Sequence, residues 1–256
     1  FHLVMQRLGE DDLRAIMKFA LISMVILPVL PNEDFGPWQV FNLFEIWLLV
    51  VLIVGINLAG YIAWKFVGAQ TSALLGGLLG GVISSTATTV SYSRRARVEK
   101  QSAPLAAVVV MIATAVVLVR VLIEIAAIAP GLLRQAAFPI SIVLAVAVAL
   151  SLVVWWRLDR QAVEMPEQGN PTMLRAALVF GVLYAIVLLA GAWVRHRVGP
   201  SGLYALAAVA GLTDVDAITL STAKMCEVGQ ISAGQTWRLV LIAYISNLFF
   251  KAGIVA

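Results

Sequence analysis

The stretch GLTDVDAITLSTAK (211–224) sets two aspartates, Asp214 and Asp216, deep in an apolar run that begins near residue 201. A carboxylate at such depth in a bilayer costs roughly 2.5–3.5 kcal/mol on insertion scales, and packing alone requires no such group. On a regular helix, positions i and i+2 diverge by about 200°. Both carboxylates therefore share one cavity only if the helix is broken near Gly211-Leu212-Thr213. Transporters use broken helices at the midplane to offer carboxylates and freed backbone to ions. In a second reading one Asp caps the following half-helix while the other faces a basic partner.

A second polar stretch, GGVISSTATTVSYSRRAR (80–97), carries Ser84, Ser85, Thr86, Thr88, Thr89 and Ser91. Unsatisfied polar groups are expensive in hydrocarbon, so this side faces protein or water. Packing offers a plain account of it. Gly76, Gly80, Ser84 and Thr88 recur every four residues, a small-residue ridge whose hydroxyls can bond their own i−4 carbonyls.

The whole chain suits these segments. Of 256 residues, 61% are hydrophobic and 12% charged, whereas soluble domains average about 45–50% apolar and about 25% charged. That excludes an ordinary soluble enzyme, a disordered chain and a coiled coil. The expected fold is an all-α polytopic membrane protein forming a single transmembrane domain over 1–256, with its two polar helices, the third and the seventh, open to being broken. Apolar runs place about eight helices, at 13–30, 41–65, 71–92, 104–128, 132–156, 173–194, 201–223 and 236–255. The long hydrophilic linker runs from Arg157 to Pro171. The net charge of +4 comes from Lys and Arg scattered at the ends of apolar runs, an anchoring pattern rather than a nucleic-acid surface. Tryptophans 38, 47, 64, 155, 156, 193 and 237 fall mostly near helix ends, as an aromatic belt does. One cysteine, Cys226, and two distant histidines, His2 and His196, exclude an internal disulfide and a His-rich metal centre.

Sliding the sequence by 131 residues brings Leu58-Ala59-Gly60 onto Leu189-Ala190-Gly191, Gly80 onto Gly211, Thr88 onto Thr219 and Arg120 onto Lys251. This predicts an internal duplication, with repeats 13–130 and 132–256. A rival register matches Leu13-Arg14-Ala15 with Leu174-Arg175-Ala176. If every segment crosses fully, the copies are parallel; re-entrant third and seventh segments would change that relation. Arg120 and Lys251 are the candidate charge partners of the aspartates, with Asn247 one turn before Lys251. Glu124 is placed to pair with Arg120 on its own helix, and Lys251 can equally snorkel to the headgroups. Asn57 is expected to make an interhelical hydrogen bond, and Glu45 to sit at the interface.

LRAIMKF in the first helix, together with GGVISSTATTVSYSRRAR and GLTDVDAITLS, resembles the C-terminal membrane domain of unknown function of MgtC/SapB-type proteins over nearly the whole chain. The resemblance implies a multi-pass protein of the bacterial or archaeal inner (plasma) membrane, with no catalytic residue to carry over. The chain begins at Phe1, and the resemblance predicts a missing N-terminal MgtC-like domain as a partner.

The functional expectation is a transporter or channel-like protein for a proton, a hard cation or a polar solute. Asp214, Asp216, Thr213, Thr219, Ser84, Ser85, Thr86 and Thr88 would line the pathway, balanced by Arg120, Lys251 and Asn247. Such oxygen ligands suit protons, alkali ions or hard divalent cations better than soft metals. The alternative is a non-transporting regulatory or scaffold module coupled to the MgtC-like domain. No nucleophile–base–orienter set or cofactor motif is visible, so neither enzymatic activity nor a cofactor is expected. The expected partners are the bilayer, the transported solute and a second copy of the chain, with no nucleic acid.

Overall fold

A computed structural model describes residues 9–67, 70–71, 73–157, 163–164 and 173–255. The Arg157–Pro171 linker lies almost entirely outside these residues, as do His2 and the start of the chain. The side chains of Leu174, Arg175 and Ala176 are likewise outside the description.

The helices are α1 (Glu10–Ala20), α2 (Leu43–Val67), α3 (Ala73–Val98), α4 (Ala103–Ile128), α5 (Pro130–Trp156), α6 (Met173–Arg197), α7 (Gly202–Thr213), α8 (Val215–Glu227) and α9 (Ala233–Val255). Among the described residues six helices are long and apolar enough to cross a membrane: α2, α3, α4, α5, α6 and α9. The protein is thus an all-α polytopic membrane protein, with a count that differs from the expected eight at two places. The seventh segment is split into α7 and α8. The first segment begins as an amphipathic helix, passes through a π-helical turn at Leu21–Ile26 and ends at Leu27–Val29.

That first segment runs antiparallel along α2. Asp12, 1% exposed, pairs with Lys65 and accepts a 2.7 Å hydrogen bond from Tyr61 near the end of α2. At the other end the Trp47 indole donates to the Ile22 carbonyl at 2.9 Å, within the π-helical turn. Trp47 thereby ties α2 to the first segment.

Two segments fold back on themselves. In α3 the chain is extended at Ser84 (φ −169°, ψ 106°). In an unbroken helix Gly80 and Thr88 would be separated by about 12 Å along the axis, yet a Cβ on Gly80 would stand 2.6 Å from the Thr88 hydroxyl. The first half of α3 ascends with α4: Gly77 packs on Val109 and Ile112, Gly81 on Ala113 and Val116. Its second half descends, with Ser85 and Thr86 near Val117 and Arg120, and Tyr92 and Ala96 in the cluster around Ala106–Ile112. The α7–α8 pair does the same. Its chain is extended at Asp214 (φ −154°, ψ 128°), and Leu203 near the beginning of α7 and Met225 near the end of α8 both approach Gly191.

The two folded-back units, α3 with α4 and α7–α8 with α9, point in opposite directions. Ala103 and Ala106 at the start of α4 face Lys251 and Val255 at the end of α9. Ile128 at the end of α4 lies beside Lys224 and Glu227, just before α9 begins. Of the two relations that the sequence leaves open, full crossing with parallel copies or re-entrant polar segments, the geometry fits the second: each polar segment folds back, and the two bends approach each other from opposite ends. Small residues permit this packing. At Gly211 a Cβ would collide with the backbone of Ala243, and at Gly81 it would lie 2.7 Å from the Ala113 carbonyl oxygen.

Candidate functional site

Each bend leaves helix ends that need partners, and the sequence supplies them locally. After the first bend the Ser84 hydroxyl accepts from the Ala87 N–H at 3.2 Å. At the second bend the Asp214 carboxylate accepts from the Asp216 N–H at 2.7 Å, capping α8. The carbonyls freed before the bends are reached from neighbouring helices. Asn57, with its amide oriented to satisfy its bonds, donates to Ile83 at 3.0 Å and Val82 at 3.3 Å. Arg120 donates to the Val82 carbonyl at 3.2 Å. Asn247 donates to the Gly211 carbonyl at 3.1 Å. The interhelical hydrogen bond expected of Asn57 thus holds a bend.

Between the bends lies a cavity of about 200 Å³, lined by Ser84, Ser85, Thr86, Val117, Arg120, Thr213, Asp214, Val215, Asp216 and Asn247. The second halves of both units begin here, so two helix N-termini direct their partial positive charge toward the carboxylates. Asp216 forms an ion pair with Arg120, a residue 6% exposed. The break falls at Asp214, immediately after the Gly211-Leu212-Thr213 stretch. Both sequence-level readings of the aspartates therefore coexist: the carboxylates share a cavity, while one caps a helix and the other holds a cation.

Two expected pathway residues, Thr88 and Thr219, do not line this cavity, and the expected charge partner Lys251 reaches it through Ser85. The Thr88 hydroxyl donates to the Ser84 carbonyl at 2.8 Å, an intrahelical bond under Gly80. Thr219 is fully buried and its hydroxyl oxygen has no hydrogen-bond partner. Lys251, 3% exposed, does not snorkel; it donates to the Ser85 hydroxyl at 2.8 Å. It also lines a larger apolar crevice of about 790 Å³ between α3, α4, α5 and α9, whose other polar residues include Ser93, Arg97 and Tyr244.

The cations cross between units. Arg120, from the unit of α3 and α4, binds Asp216 of the other. Lys251, from the unit of α7–α8 and α9, binds Ser85. The spacing of 131 residues that relates Arg120 to Lys251 also relates Ser85 to Asp216.

Of the two partners open to Arg120, the aspartates and Glu124 on its own helix, the ion pair is with Asp216. Glu124 is fully buried, and among the described residues neither carboxyl oxygen meets a hydrogen-bond donor. Asp216, Arg120 and Asp214 are the charged groups around it. Glu45 binds Lys224 at 2.7 Å, beside a third cavity of about 210 Å³ that includes Ile128 and Tyr184. Among the described residues no group of three or more His, Cys, Asp and Glu side chains is disposed to hold a metal ion.

The family described as "Domain of unknown function (DUF4010)" matches residues 51–256, and the chain belongs to it. An uncharacterized protein of Aquifex aeolicus (strain VF5) is 26% identical over 184 residues, covering 71% of this chain and 80% of that one. No solved structure matches the chain.

Proposed function

We propose that this member of the DUF4010 family is a transporter for a small ion, a proton or hard cation, and that the cavity between the two bends is its binding site. The observation that carries this reading is the polar cavity of about 200 Å³ where two oppositely directed helix bends meet around Asp214, Asp216 and Arg120. Freed backbone, helix N-termini and carboxylates at the midplane form the recurring ion site of secondary transporters. Units pointing in opposite directions suit alternating access, in which one bend and then the other withdraws to open the site. The 131-residue register and the crossed cations support descent from a duplicated unit. The setting is the inner (plasma) membrane.

The alternative is a regulatory or scaffold module linked to an MgtC-like domain, in which the polar tips would pack without water. The cavity favours transport. In proteoliposomes, Na⁺, K⁺ or proton flux through the protein should fall to the level of protein-free vesicles in Asp216→Asn. Equal flux in this variant and the native protein would remove Asp216 from the pathway. Thr86→Cys, made with Cys226→Ser, should react with a water-soluble thiol reagent. Complete protection of that cysteine would favour the dry module.

A further inference from the structure

Glu124 occupies a position that neither the ion pair nor the helix caps require. It lies one turn beyond Arg120 on α4, fully buried; among the described residues neither carboxyl oxygen meets a hydrogen-bond donor, and the carboxyl beside it is that of Asp216. The charged groups acting on it are Asp216 and Asp214 at the start of α8 and Arg120 on its own helix. Arg120 is committed to Asp216 and the Val82 carbonyl, and its Nε atom, also buried, has no partner. A buried carboxylate without a partner is neutralised by a proton rather than kept ionised.

We propose that Glu124 is a proton site whose proton is exchanged for one monovalent cation bound at Asp214 and Asp216, with the Arg120 guanidinium moving between Asp216 and Glu124. This rests on the transport reading above and adds its coupling. Three carboxylates, Asp214, Asp216 and Glu124, stand against two cations, Arg120 and Lys251. One further positive charge completes neutrality, and either a proton on Glu124 or a cation in the cavity supplies it.

The exchange balances. A cation entering between Asp214 and Asp216 displaces Arg120 from Asp216. The guanidinium turns one helical turn to Glu124, an i,i+4 neighbour within its reach. Glu124 then releases its proton: its O–H bond breaks, the electron pair stays on the carboxylate, and the new ion pair holds that charge. One positive charge enters and one leaves. The nearest cavity along α4 begins one turn beyond Glu124, where Ile128 lines it with Glu45, Lys224 and Glu227.

The test is made on the whole protein in proteoliposomes with an internal pH dye, using Na⁺ and K⁺ as the probes. In the native protein, addition of either ion should move protons in the opposite direction. Glu124→Gln, which mimics the protonated group in size and charge, should abolish that movement while leaving the fold intact. Infrared difference spectra of the native protein against Glu124→Gln should contain the carbonyl stretch of a protonated carboxylic acid, which disappears when Na⁺ or K⁺ is added. Ion-driven proton movement that survives in Glu124→Gln overturns the proposal and leaves the transport reading standing. So does cation flux without proton movement in the native protein, or absence of the carboxylic-acid band. Failure of the native protein to move any cation or proton overturns the transport reading itself.

Discussion

The two folded-back units share a geometry and differ in chemistry. In each, a helix enters, breaks at an extended residue and returns, and a long helix packs against both halves. The tip of α3 carries hydroxyls, Ser84, Ser85 and Thr86, whereas the tip between α7 and α8 carries carboxylates, Asp214 and Asp216. The hydroxyl tip can satisfy itself, because Thr88 and Thr89 already bond carbonyls one turn back at 2.8 Å. The acidic tip cannot, since a carboxylate has no donor of its own. It draws Arg120 from the opposite unit. Shape is common to both units, and charge is confined to one.

The sharpest way to break this contrast is Arg120→Met. Removing one partner of a buried ion pair leaves an uncompensated charge, which should cost about 3–5 kcal/mol. The matching replacement, Lys251→Met, should cost less, about 1–3 kcal/mol, because its direct partner is the neutral Ser85 hydroxyl and the aspartates feel its charge only at longer range. Unfolding in mixed micelles would measure both, and equal losses would show that the tips carry equal charge burdens.

The shared shape is tested next. Gly211→Ala and Gly81→Ala each push a methyl group into the backbone of the following long helix and should destabilise by about 1–3 kcal/mol through overpacking. Similar losses sharpen the likeness of the units. A loss confined to one would mean that only that unit is tightly packed.

Smaller effects belong to the caps. Ser84→Ala and Asp214→Ala should each cost about 1 kcal/mol, the usual value of an N-cap. Asp214→Asn should keep the cap and the stability while impairing ion flux in proteoliposomes. If Asp214→Asn transports as well as the native protein, Asp214 is only a cap.

Much of the fold was legible because hydropathy reports which residues avoid water. The apolar runs located the helices to within a few residues. Asp214 and Asp216 announced a break because a straight helix cannot aim both into one space. Direction was illegible: a 26-residue segment that crosses and one that enters and returns have the same composition. Ala73–Val98 accordingly reads as a span, and the sequence leaves parallel and opposed units both open. A break in the third helix was open from its polarity, but its place at Ser84 could not be read, since Ser and Thr are tolerated within a membrane helix by bonding the preceding turn. Among the site residues, the cavity gathered the aspartates with Ser84, Ser85, Thr86, Thr213, Arg120 and Asn247. Thr88 and Thr219 were chosen by type and spacing, and tertiary packing turned them elsewhere, whereas Lys251 reaches the cavity through Ser85. Glu124 was assigned to Arg120 because only intrahelical distance can be read from a sequence.

The amides of Asn57 and Asn247 each hold a carbonyl that a bend has released. In hydrocarbon such a bond has no watery substitute, so a tip that moves must surrender one seat and find another. Displacement of either tip is therefore a click between stops rather than a glide. Opening would then show a threshold, with few molecules caught midway.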